Sequence, residues 1–193
     1  MSKKLTKKQL KIQKRNADFA KLSKAEKRVA IAKDVLAQIA AGKYVAEAGV
    51  YVETQIPVTQ QDSDKQVCDL IEGKECHVCA LGSVFVSAVK FADKLTVGDV
   101  EEFPYVYDED DPVNLNPFQS GYLTQFFSRG QLGLMECCFE RGPAGDFSGA
   151  VDDMELPEQW GSSFEDDRDR LVAIMENVVR NGGTFKPVLG KAS

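Results

Sequence analysis

Cys76-His-Val-Cys79-Ala-Leu-Gly-Ser-Val-Phe-Val-Ser-Ala-Val-Lys-Phe-Ala92 is the stretch that decides the fold. From Val78 to Ala92 every residue except Ser83, Ser87 and Lys90 is apolar or small. Val84-Phe85-Val86 taken alone would suit a strand. The polar residues favour a helix instead. Ser83, Ser87, Lys90 and Lys94 recur at i, i+4, i+7 and i+11, which is one stripe of a 3.6-residue helix. A helix that is apolar on its remaining sides belongs in the middle of a core. The spacing therefore predicts a central buried helix over Cys76 to Ala92.

Working outward, the neighbours are also helical. Ser23-x-x-Glu26 has the form of a capping box. Ala25, Val29, Ala32, Leu36 and Ile39 follow it at helical spacing, with Gly42 as the stop. Phe118 to Phe127 and Arg129 to Arg141 read as two more helices, with Ser128 as cap of the second and Gly142-Pro143 as its end. Leu171, Ile174, Met175, Val178 and Val179 mark a last helix. Acidic residues crowd its start, where the helix dipole favours them, and Asn181-Gly182-Gly183 ends it. Tyr44, Val45, Val50, Tyr51 and Val52 are β-prone, with Gly49 as a turn between two short strands. Thr184-Phe185-Lys186 reads as extended chain. Residues 55–75 and 142–163 read as loop, the former with Cys68, Leu70 and Ile71 as candidates for a short element and the latter holding the only tryptophan, Trp160. The fold class is α+β and predominantly helical: a central buried helix, about four further helices and a small β element near residues 44–54.

The 193 residues carry a net charge of −6, and that charge is split. Residues 1–43 hold 13 Lys/Arg and 3 Asp/Glu, net +10, and the remainder holds 11 and 27, net −16. Residues 1–22 read as a basic, helix-prone arm, too weakly patterned for a stable helix of its own. Residues 23–193 read as a single globular α-rich domain. Lys3, Lys4, Lys7, Lys8, Lys11, Lys14 and Arg15 are candidates for phosphate contact, and such asymmetry is one mark of nucleic-acid association. The competing reading lays the arm on the protein's own acidic surface, or on a second copy in a homo-oligomer. No apolar run approaches the ~20 residues needed to span a bilayer, and no apolar segment with a cleavage site follows the basic N-terminus. The expected compartment is the cytoplasm, with no membrane partner.

The chain has a single histidine, His77, which any Ser-His-Asp or Cys-His centre would have to use. It contains no H-E-x-x-H, no phosphate-cradling G-x-x-x-x-G-K-[ST] and no G-x-G-x-x-G. EF-hand frames starting at Asp108 and Asp146 fail at position 6, where Val113 and Val151 replace glycine. Catalysis is therefore not the expected role. Cys76-His77-Val78-Cys79 retains chemical potential. Cys76 and Cys79 with Cys137 and Cys138 could form a zinc site, although adjacent cysteines on a helix diverge by about 100°. A thiol at a helix N-terminus could be redox-active. The third alternative is that these are small residues permitting close packing. Ser83, Ser87 and Lys90 could line a ligand pocket or form the helix's solvent edge. Trp160 could stack on a base, anchor a partner, or fold onto the core.

Three strings, Cys79-Ala-Leu-Gly-Ser-Val-Phe, Tyr122-Leu-Thr-Gln-Phe-Phe-Ser-Arg-Gly-Gln-Leu and Arg170-Leu-Val-Ala-Ile-Met-Glu-Asn-Val-Val-Arg-Asn-Gly-Gly-Thr-Phe, resemble small uncharacterised proteins of bacteriophages and bacteria. The resemblance carries no activity and no functional residue. It implies a phage-type accessory or counter-defence factor, one that sequesters a small ligand, nucleotide-like or otherwise, or blocks a host protein. The expected function is therefore non-enzymatic binding. Nucleic-acid association through the arm and a zinc- or thiol-dependent role are the alternatives.

Overall fold

The computed structural model describes residues 6–54, 66–71, 73–92, 95–96, 113–114, 121–143 and 148–189. Lys3, Lys4, the side chain of Lys8, Asp108 and Asp146 lie outside the described residues.

The chain begins with α1 (Lys7–Ala20) and α2 (Lys24–Ala40), followed by β1 (Tyr44–Ala46) and β2 (Val52–Thr54). Next come α3 (Val67–Ile71), β3 (Cys76–Val78), α4 (Ala80–Ala92) and β4 (Val113–Asn114). A 3₁₀ turn at Tyr122–Gln125 leads into α5 (Arg129–Glu140), α6 (Glu155–Ser162) and α7 (Asp167–Arg180). The fold is predominantly helical α+β. Six further α-helices, rather than about four, accompany the central one among the described residues.

α4 occupies the predicted place, and every residue from Ala80 to Val89 is buried. α1, α2 and α5 pack against it, and α7 lies against α2 and α5. The helix is shorter than predicted, because Cys76–Val78 is a strand. Cys76, His77 and Val78 pair in parallel with Tyr44, Val45 and Ala46, and on the other side His77 and Val78 pair antiparallel with Glu53 and Val52. β3 thus lies between β1 and β2, in the order β1-β3-β2-β4, and the expected direct turn between the 44–54 strands is replaced by a shared partner. Two strands of three residues cannot cover their own edges, and the inserted third strand satisfies both.

Residues 7–20 form a helix that does not stand alone but packs on α4. Thr6 and Gln9 make a capping box: the Thr6 hydroxyl accepts from Gln9 N at 3.2 Å, and Gln9 Oε1 accepts from Thr6 N at 2.8 Å. Ile12, Arg15, Phe19 and Leu22 then give an inward stripe, with Phe19 buried and stacked on Phe91 at 4.7 Å. The α2 box forms as read, with Ser23 N donating to Glu26 at 2.8 Å. The expected helix over Phe118–Phe127 is the single 3₁₀ turn within its described part. Residues 155–162, expected as loop, are α6, which tolerates Pro157 because proline in a first helical turn displaces no hydrogen bond.

Candidate functional site

The cysteine motif straddles a strand end and a helix start. Cys76 points inward from β3, and Cys79 is buried beside α4, its N–H donating to Val50 O at 2.9 Å. Burial pushes the Cys76 thiol up to about 11, opposed by nearby Lys90. Burial pushes Cys79 up to about 12, opposed by the Gly82 N–H, and Cys138 up to about 12, with Cys137 adding to the shift. A redox-active thiol needs the opposite shift, because the thiolate is the reactive form. All five cysteines are thiols. Among the described residues no group of three or more His, Cys, Asp and Glu side chains is placed to hold a metal ion. Gly82 is what the packing alternative would use: a Cβ there would stand 1.5 Å from the Tyr51 carbonyl oxygen. His77 faces outward, its Nδ1 2.6 Å from Glu47 Oε2.

Ser83, Ser87 and Lys90 do not form a solvent edge. Both serines are fully buried. Ser83 Oγ donates to Ala80 O at 2.7 Å, and Ser87 Oγ lies 3.1 Å from the Tyr44 hydroxyl. Lys90 Nζ pairs with Asp34 at 2.8 Å, and Gln38 donates to the second Asp34 oxygen at 3.2 Å. The stripe is a polar seam joining α4 to α2 and β1. Burial holds the Tyr44 phenol well above its usual range.

A second polar assembly surrounds the β1–β2 connection. Ala48 N donates to Asp167 at 2.8 Å, Gly49 N to Glu140 at 3.0 Å, and the Tyr51 hydroxyl to Glu136 at 3.0 Å. Asp167 also pairs with buried Arg170 at 3.0 Å. Burial raises the Glu140 carboxyl, Gly49 N–H lowers it and Asp167 raises it. These residues were not singled out from the sequence, yet a signal exists. Arg170 sits four residues before Ile174 on the apolar stripe of α7, and Glu136 lies between apolar neighbours on α5, so each is a charge at a core position.

The basic residues divide. Arg15 turns inward, donates to the Lys90 carbonyl at the end of α4, and lies 5.3 Å over the Phe91 ring. Lys7, Lys11 and Lys14 are exposed on the outward face of α1, together with Leu10, which is 53% exposed. They make no ion pair with another described residue. Lys21 continues the face, 3.5 Å from Asp18. Trp160 lies on α6, buried between Phe164 at 4.6 Å and Phe185 at 5.4 Å. Among the described residues no helix is long and apolar enough to cross a membrane.

Comparison with known proteins finds no matching family model, no matching curated protein and no matching solved structure.

Proposed function

We propose that the protein is a non-enzymatic binding protein that docks nucleic acid through the outward face of α1. The observation that carries this reading is the row Lys7, Lys11 and Lys14: exposed, on a capped helix anchored by Phe19 and Arg15, and without acidic partners among the described residues. A small ligand held by Ser83, Ser87 and Lys90 would have to break their internal bonds, so the surface reading takes precedence over a ligand pocket. In the phage-type setting that the sequence strings imply, the target would be met in a bacterial host.

Fluorescence anisotropy with a short DNA duplex tests the reading. Lys7, Lys11, Lys14 and Lys21 together predict log K against log salt with a slope of about −3 to −4, since each neutralised phosphate contributes about −0.9. Lys7→Gln, Lys11→Gln and Lys14→Gln combined should flatten the slope by about three-quarters. A triple variant that binds as tightly, with the same salt slope, excludes this face as the site.

A further inference from the structure

The C-terminal segment is held in a manner that helix packing does not require. After α7, Gly182 and Gly183 both take positive φ, at 61° and 92°, and release an extended segment. Its burial alternates: Phe185 and Pro187 are buried, while Lys186 and Val188 are exposed. This is the period of a strand, yet no strand lies beside it among the described residues. Two side-chain amides take that place. Gln131 of α5 donates to Phe185 O at 3.1 Å and accepts from Phe185 N at 2.7 Å. Asn177 of α7 donates to Lys186 O at 2.8 Å and accepts from Lys186 N at 2.8 Å. Backbone groups of successive residues in extended chain point to opposite sides, so the two clamps grip the segment from either side. Phe185 itself is 1% exposed, edge-on to Trp160.

We infer that the groove between α5 and α7 is a docking site for an extended peptide of the form aromatic-x-Pro. The chain's own residues 184–187 fill it in cis. Main-chain hydrogen bonds would supply affinity, and pockets for alternate side chains would supply selectivity, as in other extended-peptide recognition. The occupant is a partner's segment with an aromatic side chain at the Gln131 clamp and proline two residues later. The seated tail displays that chemistry, and the diglycine is the joint at which the tail would leave. The inference does not depend on the α1 reading.

The test uses the full chain carrying Phe185→Ala, which empties the aromatic pocket, and a labelled peptide of residues 184–189, Thr-Phe-Lys-Pro-Val-Leu. The expected result is saturable one-to-one binding, about ten-fold or more tighter than to the unchanged chain, whose tail competes at high effective concentration. Adding Gln131→Ala should abolish that binding. A cooperatively folded Phe185→Ala chain that shows no saturable binding overturns the inference. If Phe185→Ala does not fold, Lys186→Pro replaces it. That substitution removes the N–H that Asn177 accepts and loosens the tail, and the same peptide must again bind more tightly than to the unchanged chain; absence of that gain also overturns the inference. A dimer by light scattering that exchanges tails and excludes the peptide overturns it in favour of a second copy as occupant.

Discussion

Gly82→Ala sets two effects of opposite sign against each other. In an isolated helix the substitution stabilises by about 1 kcal/mol, because alanine loses less conformational entropy than glycine. In this protein the added Cβ would stand 1.5 Å from Tyr51 O and 2.5 Å from Tyr51 C, both backbone atoms. Relief requires α4 and the start of β2 to separate by roughly 2 Å, since ordinary carbon contacts lie near 3.5 Å. Overpacking of this kind costs about 1–3 kcal/mol, and occasionally more. The separation also strains the Cys79 N–H bonds to Val50 O at 2.9 Å and Tyr51 O at 3.3 Å, each worth about 1 kcal/mol. Sterics therefore win, with a net loss of about 2–4 kcal/mol from a total that is typically about 5–15. Urea unfolding followed by circular dichroism measures it. Gly130→Ala is the matched substitution: it lies in the first turn of α5, where a Cβ would meet only Ala150 O at 3.8 Å. It should be neutral or stabilising by up to about 1 kcal/mol. A Gly82→Ala protein as stable as the Gly130→Ala protein would refute the close approach of α4 to β2.

Glu140→Gln should raise stability at pH 7. Burial raises the Glu140 carboxyl above its usual value, so its stabilising contribution is present below the unfolded-state pKa and is lost as pH rises through the folded one. The advantage of the variant should shrink as pH falls through that range in urea melts. A less stable variant at pH 7 would mean that the charge-assisted bond to Gly49 N outweighs desolvation. Native protein at pH 8 should present at most one rapidly alkylated thiol, the half-buried Cys68, because Cys76, Cys79, Cys137 and Cys138 are buried. Mass spectrometry after brief iodoacetamide treatment counts the adducts, and two or more fast adducts contradict that burial. Thr6→Ala removes the α1 cap at a cost of about 1 kcal/mol. Hydrogen exchange should quicken in the first turns of α1 while α4 is unchanged, and unaltered exchange there would show the cap to be dispensable.

The sequence by itself determined the elements whose signals are local. Ser83, Ser87 and Lys90 at helical spacing identified α4, the Ser23 and Glu26 pair identified the start of α2, and Asn181-Gly182-Gly183 identified the end of α7. Each rests on periodicity or on hydrogen bonds between residues a few positions apart. The Thr6 and Gln9 box was equally legible, and it shows that α1 did not require an ideal apolar stripe. Only the tertiary structure decided what the polar residues do. The same Ser83, Ser87 and Lys90 stripe reads equally well as a solvent edge, a pocket wall or a buried seam. Asp34 and Tyr44, more than forty residues away, make it a seam. Cys76–Val78 is too short to declare itself a strand, and pairing on both sides with β1 and β2 makes it one. Gln131 and Asn177 look like ordinary helix-surface amides until Phe185 and Lys186 are laid between them. Hydrogen bonds between distant segments leave no periodic trace in the chain, because their partners are set by packing rather than by spacing.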